Sequence, residues 1–91
     1  MSKNIDYDAK DLLIKTLARL DGEENIKEFL NDLFSSAEVK DLSRRLLAAK
    51  LLYNGDTYQE ISRLMGMSAG TICKFHFKTR GSKVLKDLLS D

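Results

Sequence analysis

Between Glu60 and Asp87 the sequence holds no acidic side chain, yet Arg63, Lys74, Lys78, Arg80, Lys83 and Lys86 all fall within that stretch. Side chains of one positive sign over such a run attract polyanions, phosphate above all. A solvated helix face short of acids by accident would look the same, and charge alone does not separate the two. The segregation is hidden in the total, since the 91 residues carry 15 Lys and Arg against 14 Asp and Glu. Residues 1–56 hold nine basic and eleven acidic side chains, whereas residues 57–91 hold six basic and three acidic.

The segment from Thr57 to Phe75 gives that charge a frame. Its pattern predicts two short helices punctuated by Gly66, where a tight turn needs positive φ. Thr57 with Glu60, three residues on, forms a capping box for the first helix, and Ser68 caps the second. A helix-turn-helix requires apolar residues at its fourth, eighth, tenth, fifteenth and eighteenth places, a small residue at the fifth and Gly at the ninth. Counted from Tyr58, these are Ile61, Met65, Met67, Ile72, Phe75, Ser62 and Gly66. Every position fits. An ordinary pair of packed helices with a Gly turn shares the apolar pattern; the acid-free stretch is what favours DNA.

In a major groove, the first turns of the second helix face base edges and its flanks face phosphates. Ser68, Ala69, Gly70 and Thr71 are small and allow close approach, and Thr71 can bond a base or touch a thymine methyl. A crowded helix crossing would explain Gly70 equally well, at a cost of ~1 kcal/mol relative to Ala. Lys74 reaches guanine or phosphate one turn on. Tyr58 and Gln59 lie at the positive end of the first helix, beside the DNA backbone. Lys78, Arg80 and Lys83 supply further phosphate contacts.

Other chemistries find no residues to run them. Cys73 is the single cysteine, so no internal disulfide forms, and one His with one Cys cannot close a zinc site, which leaves no metal expected. Cys73 reads as a small uncharged side chain on the exposed helix face, and His76 as a surface residue or phosphate contact. Gly-rich phosphate loops and paired carboxylates are absent, so the chain is not expected to be an enzyme. No apolar run reaches the ~18–20 residues of a membrane span, and residues 1–11 are unlike a signal peptide. A cytoplasmic protein without a membrane partner is expected.

The elements that must position the basic segment are helical throughout, with no Pro and no sustained alternation. A first helix is predicted from about Tyr7 to Leu20, ended by Asp21-Gly22, and a second over Glu23–Phe34. Ser35-Ser36-Ala37-Glu38 opens a long helix over Ser36–Tyr53, stopped by Asn54-Gly55. Val39, Leu42, Leu46, Leu47, Ala49, Leu51, Leu52 and Tyr53 cover more than one stripe of that helix, so it needs burial on several sides. A chain of this size buries only ~60–65% of its unfolded surface, which makes a second subunit the natural source of the missing cover.

The segments Leu33-Phe34-Ser35-Ser36-Ala37-Glu38, Leu42-Ser43-Arg44-Arg45-Leu46, Lys50-Leu51-Leu52 and Thr57-Tyr58-Gln59-Glu60-Ile61, with Gly66 and Thr71-Ile72, resemble the Trp repressor superfamily. The likeness runs from about Leu12 to Leu89 and is nearest to the TrpR-related YerC/YecD branch. It implies an all-α, six-helix chain in an intertwined homodimer, a single domain over 1–91 with dimerisation helices at 1–56, a helix-turn-helix at 57–80 and a C-terminal helix at 81–91. It places operator contacts on Tyr58, Gln59, Ala69, Gly70, Thr71, Cys73, Lys74 and Arg80. The tryptophan co-repressor of that family lies between two arginines. The first matches Arg44, but the second falls on Lys74, whose ammonium cannot stack flat on an indole. The adjoining glycine is Phe75, which can fill the cavity. The pocket of Arg44, Lys74 and Phe75 is therefore expected to be vestigial, with no cofactor and no need of tryptophan.

The expectation is a homodimer that binds duplex DNA and regulates transcription, most simply as a repressor, at an approximate palindrome with half-sites about 34 Å apart. Two alternatives are a helical protein-interaction module with a basic docking face, and a replication-initiator-like DNA binder.

Overall fold

A computed structural model describes residues 4–90, and its described residues form helices and turns without strands. The expected ranges 1–56 and 81–91 extend past it at residues 1–3 and 91, which lie outside the described residues. The six helices are α1 (Ile5–Leu17), α2 (Glu23–Leu33), α3 (Ser36–Tyr53), α4 (Tyr58–Met65), α5 (Ala69–Thr79) and α6 (Lys83–Leu89). Among the described residues, no helix is long and apolar enough to cross a membrane.

The chain separates into two compact units, Met1–Ser36 and Ala37–Asp91. The division falls at the start of α3, which supplies part of the core on which α4 and α5 rest.

In the first unit, Asn4 caps α1 by accepting from the Tyr7 N–H at 3.0 Å, and Asp6 and Asp8 face the positive helix end. This earlier cap starts α1 two residues before the predicted Tyr7. The helix also stops at Leu17 rather than Leu20, in tight turns closed by the Arg19 and Leu20 N–H groups. Gly22 is not the left-handed cap expected for α1. At φ 85 and ψ 151 it begins α2 instead, a conformation that still requires Gly, and Glu23 and Glu24 follow in the first turn. Lys15 pairs with Asp11 at 2.8 Å, and that hydrogen bond and charge raise the Lys15 ammonium above its ordinary value. Neither α1 nor α2 has a buried residue; Leu12, Leu13, Phe29 and Leu33 line an apolar groove of about 310 Å³.

In the second unit, α3 ends in a Schellman turn. The Asp56 N–H reaches the Leu51 carbonyl and the Gly55 N–H reaches Leu52, with Gly55 at φ 90. Ala48, Ile61 and Ile72 are each fully buried and Met65 nearly so; Leu51, Leu52, Tyr58, Met67 and Phe75 pack around them. Alanine at 48 is small enough for α4 and α5 to meet α3 at one point. Three further α3 side chains reach the ends of the later helices. Arg44 donates to the Met65 carbonyl that ends α4, and Lys50 donates to Leu89 at the end of α6 at 2.5 Å. The Tyr53 hydroxyl lies 3.0 Å from the Thr79 carbonyl that ends α5 and 3.2 Å from that of Ser82. Tyr53 is thus a clamp as well as the packing residue its type suggested.

Between α4 and α5 the chain turns at Gly66, left-handed at φ 69, whose N–H bonds to Ser62 at 2.8 Å. The Ser62 hydroxyl then donates to the Met67 carbonyl at 2.6 Å, tying both sides of the bend. A Cβ on Gly66 would meet nothing within 4 Å, so replacement there is a pure backbone test. Gly66→Ala should lower unfolding stability by about 1–2 kcal/mol, whereas Gly66→Asn, which tolerates the left-handed region, should lose clearly less. Urea melts at one protein concentration measure both; equal losses would show that backbone conformation is not what selects glycine.

Candidate nucleic-acid interface

Thr57 caps α4 by accepting from the Glu60 N–H at 3.1 Å, and Ser68 caps α5 by accepting from Thr71 at the same distance. Both caps fall where the sequence places them. Capping fixes where each helix starts and therefore which residues face outward. Along α5, Ile72 and Thr79 are buried and Cys73, Phe75 and His76 half-buried, while Gly70, Thr71, Lys74, Phe77 and Lys78 are exposed. At ~100° per residue these five share one face of the helix.

Ser68 and Ala69 are exposed at the start of that face, Gln59 is exposed in the first turn of α4, and Arg80 is exposed just past the end of α5. Gly70 has open space where a Cβ would stand, so no helix crossing explains it. The Ser68 hydroxyl donates to Thr71 Oγ1 at 2.8 Å, which leaves the Thr71 O–H proton to donate outward. Lys83 stands exposed at the first turn of α6.

Two positions differ from expectation. Cys73 is half-buried rather than on the exposed face, and His76 is half-buried rather than a surface residue. Both turn toward Tyr58. Its hydroxyl lies 2.6 Å from Nδ1 of His76, with the two rings edge to face at 89° and centroids 5.6 Å apart. Removal from water raises the Tyr58 phenol above its ordinary value; the Cys73 thiol pushes the same way, and the Arg80 guanidinium pulls against both. Tyr58 is itself half-buried, so the start of α4 is fastened to the middle of α5. The sequence carried a faint signal of this contact, an aromatic hydroxyl at 58 and the lone His on the inward side of α5.

The residues of the expected effector pocket come together. A cleft of about 440 Å³ is lined by Arg44, Lys74 and Phe75 with Asp41, Arg45, Met67, Thr71 and Lys78. Arg44 is half-buried and donates to the Met65 carbonyl, while the Phe75 ring packs against the core cluster. Among the described residues, no group of three His, Cys, Asp or Glu side chains could hold a metal ion.

A family model described as Trp repressor protein matches residues 9–90. The uncharacterized protein YerC of Bacillus subtilis (strain 168) is 33% identical over 64 residues, covering 70% of this chain and 62% of that relative. The chain thus aligns with less than two thirds of that relative's length. No solved structure matches it.

A raised phenol value has a definite sign in stability. The contribution of Tyr58 is complete below the unfolded value near pH ~10 and is lost as pH rises through the higher folded value. Wild type should therefore lose stability more steeply than Tyr58→Phe between those two values, since Lys15 and the other bases are unchanged in the variant. Parallel curves of urea midpoint against pH would show that Tyr58 is not held this way.

Proposed function

Since the chain belongs to the Trp repressor family, we propose that it is a transcriptional repressor that binds double-stranded DNA as a homodimer, through α4 and α5, without tryptophan. The observation that carries this reading is the outward face of α5. It offers Gly70, Thr71, Lys74 and Lys78 to solvent without an acid among them, on a helix whose other side is core. Tyr58, Gln59, Ser68, Ala69, Cys73 and Arg80 complete the proposed contact set, with Cys73 at its half-buried edge. Thr71 and Lys74 read base edges, while Gln59, Lys78 and Arg80 hold the backbone. The site of action is the cytoplasm, where the DNA is.

Exposed apolar side chains support the dimer. Leu12, Ile14, Leu17 and Leu33 of the first unit, and Leu42, Leu46 and Leu47 of the second, are each between 46% and 67% exposed. A second copy would cover them, and two-fold symmetry would then set two copies of α5 on one face of a palindrome.

Three features support independence from tryptophan. Arg44 already serves the end of α4, Lys74 offers a point charge where a flat guanidinium would stack on an indole, and the ring of Phe75 stands in the wall of the cleft.

In vitro selection of bound sequences, with and without tryptophan, should return the same approximate palindrome, and calorimetry should find no micromolar binding of L-tryptophan. Affinity should fall by about 0.9 log units per log unit of salt for each phosphate neutralised, and Lys78→Ala with Arg80→Ala should flatten that slope by about two such increments. Thr71→Ala should shift sequence preference and leave the slope unchanged. A purified chain indifferent to all duplexes at low salt would refute the reading in favour of a protein-docking module.

A further inference from the structure

Phe77 stands in the middle of the basic face of α5 and is 61% exposed. The core of this unit has no use for it, since Ile72 and Phe75 supply the apolar side chains that α5 turns inward. The Arg80 guanidinium lies over its ring, 4.3 Å from the centroid. That stack occupies one face of the ring, and the remainder of the side chain is open to solvent. Phe77 follows Gly70 and Lys74 at helical spacing, ~10.5 Å along the axis from Gly70.

A phenyl ring neither donates nor accepts a conventional hydrogen bond, so what it can read is narrow. The base edges of the major groove present donors, acceptors and one apolar group, the C5-methyl of thymine. We propose that Phe77 is a specificity-determining residue whose ring packs on a thymine methyl, while Arg80 steadies the ring and keeps its charge for the neighbouring phosphate. The inference rests on the DNA-binding reading above and adds a third turn to the reading surface. The helix then lies along the groove instead of entering by its first turn alone. A thymine should recur in each half-site on the side met by the carboxy-terminal half of α5.

The test uses the full chain and the duplex it selects, with each thymine replaced in turn by deoxyuridine, which removes only the methyl. Wild type should lose affinity about fourfold at one thymine per half-site, as expected for one buried methyl. Phe77→Ala should bind the unmodified duplex more weakly and be insensitive to the change at that thymine. Phe77→Leu, apolar but smaller, should keep part of the sensitivity. Because the side chain is exposed, both variants should keep the wild-type helical circular dichroism. Equal methyl dependence in wild type and Phe77→Ala, or no sensitive thymine at all, would overturn the proposal while leaving DNA binding intact. A change in oligomeric state without a change in methyl dependence would assign the ring to a subunit contact and overturn it too. Failure of wild type to bind any duplex is a separate result, which removes the DNA-binding reading and this inference together.

Discussion

Each of the last three helices ends on a carbonyl that a side chain of α3 reaches. Arg44 donates to Met65, Tyr53 meets Thr79 and Lys50 donates to Leu89, so one long helix holds the ends of α4, α5 and α6. The last carbonyls of a helix have no partner within it and carry the negative end of its dipole. Two of the three donors are cations, which suit that end on both counts. Positions along a rigid helix fix distances, so the spacing of residues 44, 50 and 53 fixes where the ends of α4, α5 and α6 lie against α3.

The apolar contact beneath these clamps is compact. With Ala48, Ile61 and Ile72 fully buried at one crossing, the inner sides of α4 and α5 are used up in the core. A larger side chain at 48 would push the pair away from α3 and disturb the clamp geometry with it. The outward face of α5 is thereby relieved of any structural duty. Gly70, Thr71, Lys74 and Lys78 could change without disturbing the core, which is the freedom a surface that reads a partner needs.

Much of this was legible in the residues because the signals were local. A cap is a side chain bonding to an amide three residues on, and a left-handed turn is one residue's φ, so Thr57, Ser68 and Gly66 could be placed from neighbours alone. The start of α1 failed for the same kind of reason, since Asn4 caps it two residues earlier than apolar spacing suggested. Gly22 was recognised as a break but given to the wrong helix. Contacts distant in sequence left at most a faint trace in the residue types. Ser62 was read as merely small, and its bond to Met67 depends on how the chain turns at Gly66. The pairing of Tyr58 with His76 spans eighteen positions and exists because α4 and α5 cross at Ile61 and Ile72. The stack of Arg80 on Phe77 hid in plain view, as a basic residue three places after an aromatic one.

The double demand on Arg44 bears on any small molecule that enters the cleft. Its guanidinium already satisfies the carboxy-terminal carbonyl of α4, one residue before the turn that aims α5. A ligand drawing that guanidinium to itself would free a carbonyl beside Gly66 and loosen the junction that orients α5. Around that guanidinium the cleft also holds Lys74 and Lys78, while Arg45 pairs with Asp41 at 3.1 Å. The same bond to the α4 carbonyl supports the proposed independence from tryptophan, since the Arg44 side chain already holds the end of α4.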